Sequence, residues 1–367
     1  MNPLKALWEE HGQAAWLDYI ERDLLTSGGL EKLVVSDGIR GVTSNPSIFK
    51  AAITGSDSYD ADIDAFLEAH SEASTTALYE ALAITDIQMA ADILAPVYES
   101  SAGTDGFVSL EVSPHLANDS IGTEAEAHRL WQAVHRPNLM IKVPATAAGI
   151  PAIENLIAAG INVNATLMFS LADYEAVATA FLRGLDRRSD PSGVASVASF
   201  FVSRVDSKVD AALKTIGTDE ALGLCGRAAI ANSRLAYRRF LELFHHPTFA
   251  ELAARGAQVQ RPLWASTSTK NPAYDDVVYV EELVGPETVN TLPTATLEAY
   301  RDHGRPQSKV AETFAEDEAL LTRIGELGID LDQVTTQLQI DGVTSFADAF
   351  DELIAALEAK RAARAGV

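Results

Sequence analysis

Short apolar runs recur along this chain, separated by longer stretches of mixed character. The runs are Ala14–Asp18, Arg40–Ser44, Gly106–Val112, Leu139–Val143, Ile161–Leu167, Val194–Val202, Pro262–Ser266 and Thr288–Leu292. Their length and near-continuous apolar character suit strands covered on both faces, as in a parallel sheet. Between them, apolar positions return at helical spacing, which predicts helices with one buried face. Thr75–Tyr98 carries Leu78, Leu82, Ile87, Ile93 and Leu94 in this way. Further helices are predicted over Thr123–Val134, Gly149–Ala159, Leu171–Leu185, Arg204–Ile216, Ala221–Leu243 and Pro272–Leu283. Eight strands alternating with helices favour an α/β fold of the closed (β/α)8 TIM-barrel type over an open sheet. An open nucleotide-binding sheet would want a G-x-G-x-x-G or P-loop pattern, and neither occurs. Beyond residue 305 the chain is acidic and helical, over Val310–Ile329 and Phe346–Ala363. Residues 305–367 therefore read as additional C-terminal helices packed on the barrel, and 1–367 as a single domain with no linker.

Composition narrows the function. Of 367 residues, 47% are hydrophobic, enough for a large core. The 28 Lys and Arg stand against 52 Asp and Glu, a formal charge of −24. Such a surface repels nucleic acid and anionic membranes, and any phosphorylated substrate would need a local basic pocket. Cys225 is alone, so no intrachain disulfide forms, as suits a reducing compartment. No basic segment leads into an apolar stretch at the N-terminus, and no run reaches the ~18 apolar residues of a membrane span. The expectation is a cytoplasmic protein without nucleic-acid or membrane partners, either a monomer or a homodimer. Among the histidines there is no H-x-x-x-H pair and no strand-end H-x-H, so neither a metal nor another cofactor is expected.

The chemistry concentrates at predicted strand ends, where barrels of this type carry their active sites. The most telling is Lys142, in Asn138-Leu139-Met140-Ile141-Lys142-Val143-Pro144-Ala145-Thr146. An amine held in apolar surroundings is poised to lose its proton, and a neutral amine can attack a carbonyl to form a Schiff base. Around it, strand 1 ends in Asp18 and strand 2 runs into Thr43-Ser44-Asn45-Pro46. Strand 3 carries Glu111, strand 5 reads Asn162-Val163-Asn164-Ala165-Thr166, and strand 6 carries Ser199. Strand 7 runs into Ser266-Thr267-Ser268-Thr269-Lys270. Polar residues at every second position of strand 5 give one polar face, which should point into the barrel. Blander roles exist for each group: turn chemistry for Asn45 before Pro46, a surface ion pair with Arg129 for Glu111, a buried network for Asn164 and Thr166. Together at one rim, the amine, amides and carboxylates point to carbon–carbon bond chemistry at a carbonyl.

These motifs resemble those of the transaldolase family. The likeness runs from about Trp16 to Tyr300. It is carried by Gly41-Val42-Thr43-Ser44-Asn45-Pro46-Ser47-Ile48-Phe49, by the Lys142 segment, by Gly160–Ser170 and by Ala198-Ser199-Phe200-Phe201-Val202-Ser203-Arg204. The resemblance implies a (β/α)8 barrel with the Schiff-base lysine on the fourth strand. It also implies transfer of a dihydroxyacetone unit from sedoheptulose 7-phosphate to glyceraldehyde 3-phosphate, giving erythrose 4-phosphate and fructose 6-phosphate in the non-oxidative pentose phosphate pathway. Lys142 matches the lysine, and Asp18 the aspartate that takes the proton on cleavage; Asp37-Gly38 reads as a turn. Glu111 and Thr166 match the pair that holds a catalytic water. Asn45, Asn164 and Ser199 match groups on the dihydroxyacetone hydroxyls, and Arg204, Ser268 and Lys270 match the phosphate clamp, with Ser266 able to take the place of Ser268. Lys270 stands where many relatives carry arginine, a point charge in place of a two-pronged donor. Phe201 stands where related fructose-6-phosphate aldolases carry tyrosine, which points to transfer of the fragment over its release.

Overall fold

The computed structural model describes residues 2–365. Eight parallel strands close into a barrel in sequence order: β1 (Gln13–Leu17), β2 (Gly41–Val42), β3 (Phe107–Glu111), β4 (Leu139–Pro144), β5 (Val163–Met168), β6 (Ser196–Phe201), β7 (Arg261–Ala265) and β8 (Thr288–Leu292). β8 returns to pair with β1 from Gln13↔Thr288 to Leu17↔Leu292, so no strand edge is left open. Nearly every strand residue is buried, because the interior side chains fill the barrel and the outward ones meet a ring of helices. The (β/α)8 reading and its added helices hold.

Register places the chemistry. Glu111 lies beside Lys142, Lys142 beside Asn164, and Pro144 beside Thr166. Residues in register on parallel strands point to the same side, so three neighbouring strands present carboxyl, amine and amide inward at one level. Between β5 and β6 the register shifts after Ala165, and Leu167 adopts φ +60°. Ser266, just past β7, has φ +57°. Two non-glycine residues in the left-handed region at the same rim mark a mouth held in strained shape by what packs on it.

At the other end of the barrel, Asp105 is fully buried. It accepts hydrogen bonds from Trp16 Nε1 at 2.8 Å, Arg40 Nε at 2.8 Å and Arg261 Nη2 at 3.3 Å. Gly41 is required beside Trp16, since a Cβ there would lie 2.5 Å from the indole ring.

Several predicted boundaries move. The helix expected over Pro272–Leu283 shrinks to Val278–Glu281. Upstream of it, the Asn271 and Asp275 side chains accept the backbone N–H groups of Ala273 and Val277, and such local bonds compete with a helix. The stretch predicted as Ala221–Leu243 splits into Asp219–Leu222 and Ala228–Phe244, with Gly226 at φ +75° between them. At the C-terminus, the two expected helices are Phe314–Glu326 and a 35-residue helix, Leu331–Ala365, that starts well before Phe346. Asp330 caps the longer helix by accepting from Gln333 N at 3.0 Å. Thr75–Ser100 is long and apolar enough to cross a bilayer by length and composition. Here it lies on the barrel, with Asp86 in its middle fully buried and held by Arg22 and Tyr59.

Candidate active site

A cavity of about 350 Å³ opens at the C-terminal rim of the barrel. Of the residues singled out from the sequence, Asp18, Asn45, Lys142, Thr166, Ser199, Phe201, Arg204, Ser266, Ser268 and Lys270 line it. Glu111 and Asn164 stand immediately behind this lining. A second cavity, of about 400 Å³, opens at the opposite barrel end around Trp8, Met140 and Arg261 and contains none of these groups.

Lys142 is only 5% exposed. Its Nζ donates to the Ser44 carbonyl at 3.2 Å and to Glu111 Oε2 at 3.4 Å. The second carboxyl oxygen of Glu111 is buried without a partner among the described residues, as is the hydroxyl of Thr166. Two unsatisfied buried oxygens at one site are costly unless a water or a reacting group fills the need. Burial pushes the Glu111 carboxyl up to about 7, against the pull of the Lys142 charge. The same two causes act on Asp18, and burial again wins, raising it above the ordinary carboxylate range. Thr43 Oγ1 donates to Asp18 Oδ1 at 2.6 Å and contacts Thr291 Oγ1 at 2.6 Å. The site thus holds an amine beside two carboxyls whose affinity for a proton burial has raised. The alternative partner for Glu111 is engaged elsewhere: Arg129 makes a two-pronged pair with Glu80, at 2.6 and 2.7 Å.

The amides divide in role. Asn45 caps the helix Pro46–Gly55 by accepting from Ile48 N at 3.1 Å, which leaves its Nδ2 to the cavity. Turn chemistry and a place at the site therefore coexist in one residue. Asn164 is fully buried, donates to Ser109 Oγ at 3.0 Å and accepts from Ser199 Oγ at 2.6 Å. It fixes the Ser199 hydroxyl and does not itself reach the cavity. Asn162, at the start of the polar face of strand 5, bonds backbone groups of Pro137, Leu139 and Ala195 and serves the sheet alone. Asp37 ends the helix Gly29–Asp37 and pairs with Arg301 at 2.9 Å, outside the cavity.

Two cations line the far wall. Arg204 is half-buried, lies 5.3 Å from the Phe201 ring centroid and has no carboxylate or hydrogen-bond acceptor among the described residues. Burial pulls its guanidinium below the usual arginine range. Lys270 Nζ reaches Ser268 Oγ at 2.7 Å, and burial followed by the charge of Arg204 lowers it as well. Two cations that destabilise one another, in a chain with a charge of −24, make a seat for an anion. Ser266 and Ser268 both line this wall. Phe201 is 6% exposed and packs against Phe169, with ring centroids 5.2 Å apart.

The sequence assigned no role to four contributors. Thr43, just past β2, holds Asp18 and is itself contacted by Thr291 of β8, and Ser44 holds the lysine through a carbonyl that no sequence pattern advertises. The fourth is the long C-terminal helix, which brings Ser345 and Phe346 to the cavity.

Over residues 15–357 the chain matches the Transaldolase/Fructose-6-phosphate aldolase family. It is 50% identical over 348 residues to a transaldolase of Thiobacillus denitrificans, covering 94% of this chain and 96% of that one. With a transaldolase of Mycolicibacterium smegmatis it shares 46% identity over 362 residues, 97% of each chain. A protein of Streptomyces coelicolor named transaldolase 1 is 47% identical over 353 residues, 95% of this chain and 92% of the relative.

Proposed function

The chain belongs to the transaldolase/fructose-6-phosphate aldolase family, and on that premise we propose that it is a transaldolase working through a Schiff base on Lys142. It moves a dihydroxyacetone unit from sedoheptulose 7-phosphate to glyceraldehyde 3-phosphate, giving erythrose 4-phosphate and fructose 6-phosphate, as a cytoplasmic enzyme of the non-oxidative pentose phosphate pathway. The observation that carries this reading is the amine of Lys142, buried at the rim within reach of the Glu111 carboxyl and facing a wall of two cations that pair with no carboxylate among the described residues.

The neutral amine attacks the ketose carbonyl, and Glu111 Oε2 at 3.4 Å is placed to take its proton. Loss of water from the resulting carbinolamine needs a proton donor; Glu111 and Thr166, each with an unpartnered oxygen, hold the water that relays it. The iminium at C2 then draws electrons from the C3–C4 bond. Asp18, aligned by Thr43, takes the proton from the C4 hydroxyl, so that bond breaks and the aldose phosphate departs. Asn45 and Ser199 restrain the hydroxyls of the three-carbon fragment, and Asn164 aims Ser199. Arg204, Lys270 and Ser268 (or Ser266) seat the substrate phosphate. Attack of the enamine on the second aldehyde runs these steps in reverse.

The deciding experiment follows glyceraldehyde 3-phosphate from fructose 6-phosphate, with and without erythrose 4-phosphate. Steady release only when the acceptor is present supports transfer. Equal release without it makes the chain an aldolase and overturns the proposal.

A further inference from the structure

The helix Leu331–Ala365 does more than cover the barrel. Its Gln339 Nε2 donates to the Ala145 carbonyl at 3.0 Å and to the Leu167 carbonyl at 3.2 Å. Those carbonyls follow Lys142 on β4 and Thr166 on β5, and Leu167 is the residue held at φ +60°. The side-chain amide therefore clasps the two strand ends that carry the lysine and the water-holding threonine. Seven residues further along the same helix, about two turns on, Phe346 reaches into the cavity. It is 6% exposed, and its ring centroid lies 5.4 Å from Lys142 Nζ. With Ser44 and Glu111 bonded to the amine, this ring closes the nitrogen in.

An aromatic face beside a nitrogen that becomes cationic attracts that charge, and more strongly where water is absent. The same ring denies water the space beside the carbon–nitrogen bond. We propose that Phe346 decides the fate of the lysine-bound three-carbon fragment, favouring its passage to an aldose over its loss as free dihydroxyacetone. This rests on the transaldolase reading above. Loss of the fragment takes a proton on the enamine carbon and then one water across the C=N bond, which returns dihydroxyacetone and the amine of Lys142. Transfer instead joins the enamine carbon to the aldehyde carbon, and the aldehyde oxygen takes the proton. Both routes start from the same enamine. Both also end in hydrolysis of an iminium, so they part only at the enamine carbon, where a wall that keeps water from delivering a proton slows the first and not the second. Phe201 lines another part of the cavity, packed on Phe169, so the two rings are separable by mutation.

The test uses the full chain carrying Phe346→Ala or Phe346→Leu. Three quantities are read: transfer from fructose 6-phosphate to erythrose 4-phosphate, dihydroxyacetone release without acceptor, and the protein fraction trapped on Lys142 by borohydride. For Phe346→Ala the ratio of release to transfer rises at least tenfold while trapping still occurs. Phe346→Leu restores apolar bulk without an aromatic face, so its ratio falls between Phe346→Ala and the unaltered chain. A merely structural role would lower transfer and release together and leave the ratio unchanged, and that result in both variants overturns the proposal. Absence of acceptor-dependent transfer in the unaltered chain would instead sink the transaldolase reading.

Discussion

Replacing Glu111 with glutamine should make the protein more stable at neutral and alkaline pH. Burial holds this carboxyl at about 7 against an ordinary value of 4.5. The folded state therefore binds a proton that the unfolded chain releases between those two values. Stability is undiminished below about pH 4.5, falls as the pH rises toward 7 and levels off above it. At ~1.4 kcal/mol per pKa unit, the ionised carboxyl costs the folded protein about 3 kcal/mol at pH 8. Glutamine has nearly the same shape and carries no charge, so Glu111→Gln removes that cost. With an unfolding entropy of about 2.1 cal/mol/K per residue, the gain corresponds to a Tm higher by about 4 °C at pH 8. At pH 4 the variant and the unaltered chain should melt together. Calorimetry across pH 4 to 8 reads the difference directly. In a Lys142→Met background the pH-dependent loss should grow, because the main attraction offsetting burial is then gone. Equal stability at pH 4 and pH 8, or a Glu111→Gln variant less stable at pH 8, would refute the reasoning. It would mean that the carboxylate is ionised and that its pairing with Lys142 outweighs its burial.

Three other outcomes are expected. Lys142→Ala should abolish both turnover and borohydride trapping of substrate, checked by mass spectrometry of the intact chain; retained turnover would remove the Schiff base. Asp18→Asn should slow cleavage by about two to four orders of magnitude, within the range for losing a general base, while trapping persists; loss of trapping would show that Asp18 acts before cleavage. Asp105→Ala leaves the Arg40 and Arg261 guanidinium groups without their shared carboxylate. Urea denaturation should show a loss of about 3–5 kcal/mol, and a change below about 1 kcal/mol would mean that solvent replaces the carboxylate.

Where local chemistry decided the outcome, the sequence was readable. Strand β8 and the helix Gly149–Ala159 fall on the predicted residues, because apolar runs and helical spacing are short-range signals. The rim was legible too, since a polar side chain that ends a buried apolar strand must be paired or put to use. Long-range partners were hidden. Phe346 reads as an ordinary apolar helix position, and only the path of the folded chain sets its ring beside Lys142. Gln339 falls between the two helices expected from the sequence, and only in the folded chain does its amide meet two strand-end carbonyls. Asn164 was placed on the correct strand and face, but its depth follows from its neighbours Ser109 and Ser199 on β3 and β6. The loss of the Pro272–Leu283 helix was in principle readable, since Asn271 and Asp275 are strong competitors for backbone N–H groups.

The path of the helix Leu331–Ala365 has a consequence for the newborn chain. A ribosome makes the eight strands in order and finishes β8 at Leu292. At about 5–20 residues per second, several seconds pass before Gln339 and Phe346 exist. During that interval the lysine, both carboxyls and the phosphate wall have already been synthesised. The clasp on the β4 and β5 ends and the last ring beside the amine have not. The reaction chamber is therefore completed only after all eight strands have been made, so an interrupted chain that ends short of Gln339 lacks both the clasp on the β4 and β5 ends and the ring beside the amine.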